Sequence, residues 1–261
     1  MPRLVLLALT GCAPALSPGL APPASPATNT AADTAADTAA DTPDPDGDAA
    51  APPACGPYSA LDQVGAVAAW ESQPAWEEAH EDPLAWEEEM GGEAPFGLQV
   101  GWTVVQTGTL ALDGVDDYTW SDTAFYRCDA DGVWLLGTEA AWSYTVDGTP
   151  FGGATVEAYH PPLRLHPLDP WVEPAWSHTT ERHTTDAFGE TTIDAVTRAV
   201  SVIDGGPITV AAGSFAGVAL RVAETGQPER TVWLGRGVGP LTDGDALWLA
   251  DFSAPTAADA R

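Results

Sequence analysis

The sequence predicts a mainly β domain, an antiparallel sheet curled or split into a barrel or sandwich, with a short helical segment and a disordered tether ahead of it. Three observations carry this reading. From Phe96 onward apolar and polar residues alternate with period two, as on a half-buried strand. About ten or eleven such runs follow one another, separated by Gly, Pro and Asp turns. Before Phe96 the pattern changes, first to a low-complexity run and then to a helical period.

The chain begins Met1-Pro2-Arg3, then an apolar run from Leu4 to Leu9, then Thr10-Gly11-Cys12. The run is far too short for a transmembrane helix, which needs about 20 residues, and suits the core of a signal peptide. Leu9-Thr10-Gly11-Cys12 resembles the lipobox of bacterial lipoproteins. The resemblance implies cleavage that removes residues 1–11, a diacylglycerol thioether on Cys12, and a membrane as the partner that holds the chain through this lipid. It also places the protein in the bacterial cell envelope, at the outer membrane rather than the inner, facing periplasm or cell surface.

Residues 12–54 then form the anchor and tether. Ala31-Ala32-Asp33-Thr34 repeats at 35–38 and 39–42, and no large apolar residue follows Leu20 until the domain begins. Such a run buries too little surface to offset chain entropy. Asp44-Pro45-Asp46-Gly47-Asp48 looks like a calcium loop, but the twelfth position of that pattern falls on Pro53 instead of Glu.

The domain spans residues 55–255, with a helical segment over 59–91 and a disordered tail at 256–261. Ser59 and Asp62 have capping-box spacing, and Leu61, Val64 and Ala68 share a helical face. Asp82-Pro83 reads as a second helix start, stopped by Gly91-Gly92. Ala-Trp-Glu-Glu occurs at 75–78 and again at 85–88. In the exported, oxidising setting that the lipobox implies, Cys55 and Cys128 are the cysteines left over after Cys12, and a disulfide between them is expected, the alternative being two buried thiols.

The strongest strand runs from Leu98 to Leu112. Leu98, Val100, Trp102, Val104, Leu110 and Leu112 fall on one face, expected to point inward, and Thr103 falls on the other, expected to be exposed. Tyr118 to Cys128 repeats the alternation, with Asp113-Gly114 as the turn between. Further strands are expected near 132–136, 140–146, 154–160, 176–185, 191–203, 208–210, 216–222, 231–234 and 246–252, and Gly235 to Pro240 reads as a tight bend.

Several phrases resemble a group of uncharacterised bacterial envelope lipoproteins. They are Leu98-Gln99-Val100-Gly101-Trp102, Tyr159-His160-Pro161-Pro162 continuing to Leu168, Val210 to Phe215, and Trp233 to Pro240. The β-domain of that group looks like the half-open barrel of the LolA and LppX lipoprotein or lipid carriers. The likeness covers about residues 96–250 and brings no catalytic residue with it.

Charge narrows the partners. The chain holds 38 Asp and Glu against 9 Arg and no Lys, a net charge of −29. Nucleic acid is excluded as a partner, because its binding needs clustered bases. A GC-rich composition explains much of the acidity, which also serves solubility.

Catalytic patterns are missing. Ser214 lacks the flanking glycines of a nucleophile elbow, and Gly235-Arg236-Gly237-Val238-Gly239 lacks dinucleotide-loop spacing. His160, His166, His178 and His183 do not show metal-site spacing, and Asp116-Asp117 reads as a solvated turn. No metal, no cofactor and no enzymatic activity is expected. The expectation is a non-enzymatic, membrane-anchored structural or interaction module. The alternative is a carrier or sensor of an acyl chain or other apolar ligand, lined by Trp102, Val104, Trp120, Tyr126 and Trp142; the partner is then that ligand, in place of an envelope protein.

Overall fold

The computed structural model describes residues 55–72, 85–112, 115–244 and 247–254. Within them the chain is a closed antiparallel barrel of twelve strands. They are β1 (Val67–Ser72), β2 (Ala85–Phe96), β3 (Gln99–Leu112), β4 (Val115–Asp129), β5 (Gly132–Val146), β6 (Thr149–His166), β7 (Ala175–Thr185), β8 (Thr191–Val210), β9 (Gly213–Glu224), β10 (Arg230–Gly235), β11 (Gly239–Asp243) and β12 (Leu247–Ser253). Each strand pairs with its neighbours in sequence, and β1 pairs with β12 to close the wall. Closure leaves no sheet edge unpaired, which is how an up-and-down barrel meets its backbone hydrogen bonds.

Two expectations are corrected here. The barrel is closed, where a half-open one was expected, because Trp70 to Ser72 find partners in Leu249 to Leu247. The helical segment over 59–91 is absent among the described residues: β1 and β2 stand there, and residues 55–66 form turns. The physical reason is that Val67-Ala68-Ala69-Trp70 also alternates, with Ala68 and Trp70 buried. Likewise Trp86 and Glu88 point inward while Glu87 and Glu89 are exposed. Strand pairing overrides local helix propensity when it buries such a face. Ser59 still receives the backbone N–H of Leu61, at 3.2 Å, but in a turn. The first Ala-Trp-Glu-Glu copy, the tether, Cys12 and the tail beyond residue 254 lie outside the described residues.

Residues 55–66 cap one end of the barrel. Cys55 is disulfide-bonded to Cys128 at the end of β4. Gly65 N–H donates to Met90 C=O, Met90 N–H to Ala66 C=O, and Gly237 N–H to Pro57 C=O. The cap therefore touches β2, β4 and the β10–β11 turn, and it seats Leu61 in the apolar core.

Alternation decides which side chains face the lumen. Even positions of β3 and β4 point inward, so Val104, Gln106, Tyr118 and Asp122 are buried. The outer face is mostly polar, with Val156 and Ile193 also exposed on it, and carries cross-strand hydroxyl pairs, Thr119 with Ser143 and Thr179 with Thr197, both at 2.9 Å. The β5–β6 hairpin turns on Asp147-Gly148, both at positive φ, between the paired residues Val146 and Thr149; this is the two-residue turn whose twist suits a hairpin.

The inward face of β3 holds only along its middle. Leu98 and Val100 are exposed, and Thr103 is buried with its hydroxyl 3.0 Å from Gly92 C=O. A bulge between Met90 and Glu93 interrupts the β2–β3 ladder at this point. Beyond it Phe96 packs on Phe125, ring centroids 4.7 Å apart, and on Leu136. By register Phe125 lies on the outer face, so the hairpin tip leans over the outside of the wall. The side chains of Leu110 and Leu112 lie outside the description.

Candidate functional site: the barrel lumen

An eight-stranded barrel is just filled by its own side chains; twelve strands leave more room. Between the cap and the middle of the barrel lies a cavity of about 180 Å³. Its walls are mostly apolar, with Leu61 of the cap, Met90, Leu135, Leu163, Leu220 and Leu234 among them. Of the expected lining residues, Val104 and Tyr126 are on this wall. Trp102 packs against the core cluster without lining the cavity.

Trp120 and Trp142 stand elsewhere, paired across β4 and β5 toward the barrel end away from the cap. Trp142 belongs to an aromatic group in which Tyr144 stacks on Tyr118, Trp142 and Phe151 at 6.0, 5.5 and 5.3 Å. Two glycines make room for the indoles. A Cβ on Gly108 would lie 2.6 Å from Trp120 Nε1, and one on Gly153 would lie 2.7 Å from Trp142 Cζ2.

Between the apolar cavity and this aromatic group runs a belt of inward-facing polar residues. Glu88, Gln106 and Asp122 are directly opposite one another on β2, β3 and β4. The belt continues through Glu157 on β6 and Arg182 on β7 to Arg198 on β8 and Glu224 on β9, which are also directly opposite. Arg198 is paired with Glu224 at 2.8 Å, and Arg230 on β10 with Asp243 on β11 at 2.8 Å. Glu88 Oε1 accepts from Gln106 Nε2 at 2.9 Å and from Trp86 Nε1 at 3.3 Å.

Burial sets the protonation of these groups. The Glu88 carboxyl is pushed up to about 7 by loss of water, against the pull of donors from Trp86, Trp70 and Gln106. Asp122 is pushed up to about 6, first by burial and then by the nearby Glu157 charge. His166, also on the cavity wall, is held down at about 4 by burial. The Tyr126 and Tyr159 hydroxyls are pushed upward by burial. Burial lowers the Arg198 guanidinium, and Glu224 counters it.

The remaining histidines do not converge on a centre. His178 and His183 are five residues apart on β7 and by register face opposite sides. His183 rests edge-on against His160, ring centroids 4.7 Å apart. Among the described residues no group of three His, Cys, Asp or Glu stands close enough to hold a metal. Ser214 shares a 2.8 Å hydrogen bond with Thr209 on an exposed hairpin.

The belt escaped the sequence reading, although a signal for it exists. Arg198 sits between Val196 and Val200, and Glu224 follows Val218, Leu220 and Val222, so both occupy the apolar phase of their strands. A charge in that phase marks a residue that is bonded inside.

No protein-family model, curated protein or solved structure matches this chain.

Proposed function

We propose that this chain is a lipid-anchored protein of the bacterial cell envelope, held through Cys12 at the outer membrane rather than the inner. Its barrel is a non-enzymatic binding module, carrying or sensing a small molecule with an apolar part. The observation that carries this reading is the capped cavity of about 180 Å³, apolar toward the cap and charged at the belt. An apolar cavity of about 150 Å³ already takes up benzene, and drug-sized pockets run to about 300–1,000 Å³. The occupant is therefore a ring or a short chain, smaller than a whole lipid. Exposed Glu87, Glu89, Glu139 and Glu181 on the outer face support a water-facing barrel, since a membrane-spanning one turns an apolar band outward. The resemblance of several phrases to those of envelope lipoproteins is in keeping with this reading.

Calorimetric titration of 1-hexanol into the full chain tests the lumen. Saturable binding with a rise in unfolding temperature is expected. Ala68→Leu, which adds bulk on the cavity wall, should weaken it several-fold. Absence of saturable binding to the unaltered barrel would replace the binder with a purely structural module. For the anchor, Cys12→Ser should abolish labelled-palmitate incorporation and release the protein from membranes; unchanged labelling overturns the lipid attachment.

A further inference from the structure

The belt is short of cations. Three inward-facing arginines are each matched: Arg182 lies 3.5 Å from Asp194 and 4.0 Å from Glu157, while Arg198 and Arg230 each hold a carboxylate at 2.8 Å. Glu88 and Asp122 have no ion-pair partner among the described residues. The sequence has no Lys to supply one, and burial keeps His166 neutral.

The hydrogen bonding of Asp122 and of the nearby Glu157 is also incomplete. Asp122 is 5 % exposed, faces the lumen beside Gln106, and its Oδ1 has no hydrogen-bond partner. Glu157 Oε2 is likewise buried and unpartnered. Glu88 is on the cavity wall, where Gln106 and Trp86 donate to its Oε1 and the Trp70 indole is a further donor beside it. Buried acceptors of this kind call for donors. An anion is disfavoured by charge, because a carboxylate already neutralises each of the three arginines while Glu88 and Asp122 stay uncompensated.

Building on the lumen as a binding site, we infer that its ligand is an organic ammonium ion, a protonated primary amine held at the acidic side of the belt by Glu88 and Asp122, with a short apolar substituent in the cavity. An ammonium brings both the positive charge that Glu88 and Asp122 lack and an N–H donor for the unpartnered oxygen of Asp122. Two further features agree. The faces of Trp142, Tyr144 and Tyr118 on the other side of the belt attract cations. The net charge of −29 enriches cations around the whole molecule.

The test is a selectivity series on the full chain carrying Cys12→Ser, so that neither lipid nor detergent competes. Hexylammonium, hexyltrimethylammonium, 1-hexanol and hexanoate are titrated calorimetrically at about pH 7.5, where the amine is protonated and the acid ionised. Hexylammonium should bind at least about tenfold tighter than hexanol, hexanoate should be weakest, and the trimethyl analogue, having no N–H, should lose about fivefold or more against hexylammonium. Glu88→Gln and Asp122→Asn should each cut the amine preference over the alcohol to about threefold or less, the loss falling mainly on the amine. The inference is overturned if hexanol or hexanoate binds as well as the amine, if the trimethyl analogue binds equally, or if both amide variants keep the preference. Failure of every probe, hexanol included, instead removes the luminal binding site itself. The series on unaltered belt residues decides the matter even where an amide variant does not fold.

Discussion

Glu88→Gln should flatten the pH dependence of stability. Glu88 is 8 % exposed and its carboxyl is raised from 4.5 to about 7 in the fold. The folded barrel therefore holds a proton that the unfolded chain has released between those values. Stability is then greatest below about pH 4.5 and is lost as pH rises through about 7. Each tenfold change in proton affinity is worth about 1.4 kcal/mol, so the difference between the folded and unfolded carboxyl comes to about 3 kcal/mol. Asp122, raised from 3.8 to about 6, acts with the same sign in a lower window. His166 acts against them: lowered from 6.5 to about 4, it stays neutral in the fold, and its contribution is lost as pH falls from 6.5 toward 4. Between about pH 4 and 6 the Asp122 and His166 slopes nearly cancel. What remains is the Glu88 slope, about 1.4 kcal/mol per pH unit up to about pH 7. Gln keeps an acceptor for Gln106 and Trp86 but carries no charge. Urea melts at about pH 5, 6, 7 and 8, with the disulfide intact, should show the variant close to the unaltered protein at the acid end and about 2–3 kcal/mol more stable at the basic end. Parallel curves for the two proteins, or a variant less stable at about pH 8, would refute the reasoning.

Two further perturbations test the wall itself. Glu224→Gln leaves Arg198 buried without its carboxylate and should cost about 3–5 kcal/mol in a urea melt, whereas the paired change Arg198→Met with Glu224→Met should cost clearly less; a single change milder than the double one contradicts the pair. Thr103→Ala removes the hydrogen bond to Gly92 C=O at the bulge and should cost about 0.5–1.5 kcal/mol, and a loss too small to measure in the melt would mean that the bulge does not depend on this bond.

What was legible in the sequence is what alternation encodes. The runs around Val104, Tyr126, Val200 and Leu220 announce one wet and one dry face, and β3 to β10 and β12 stand where those runs fall. Some expected breaks are continuous: β5 joins two runs through a bulge at Leu136, and β8 joins two through one between Val202 and Asp204. β1 and β2 were hidden because Asp-Pro, Gly-Gly and Glu-rich phrases carry local helix signals, while the partner that draws β1 into the wall, β12, lies far along the chain, and β2 is held between β1 and the adjoining β3. β11 was hidden for a related reason. Gly239-Pro240 reads as a bend, and only pairing of Leu234 with Pro240 and of Thr242 with Trp248 draws it into the wall. The bulge adds one residue to β2 and shifts the phase of that strand, whereas Leu98 and Val100 are exposed because they sit in the hairpin tip beyond Trp102, where the ladder from β3 to β4 ends.

The acidity of the chain divides along the same wall. A compositional bias toward Asp and Glu places them where they cost least, and Glu87, Glu89, Glu139 and Glu181 are exposed on the outer face. Such residues are solvated and need no partner. Glu88 and Asp122 are different, because each sits inside, where losing water opposes its charge enough to raise its carboxyl to about 7 or 6. Bias alone does not put acids at positions where burial penalises them. Nor does pairing account for them, since the nearby arginines are already occupied by Asp194, Glu224 and Asp243. A neutral residue at either position would give a more stable barrel at neutral pH, so the belt holds these two carboxylates at a cost to the fold. A cost of that kind is characteristic of a site whose missing partner comes from outside the chain.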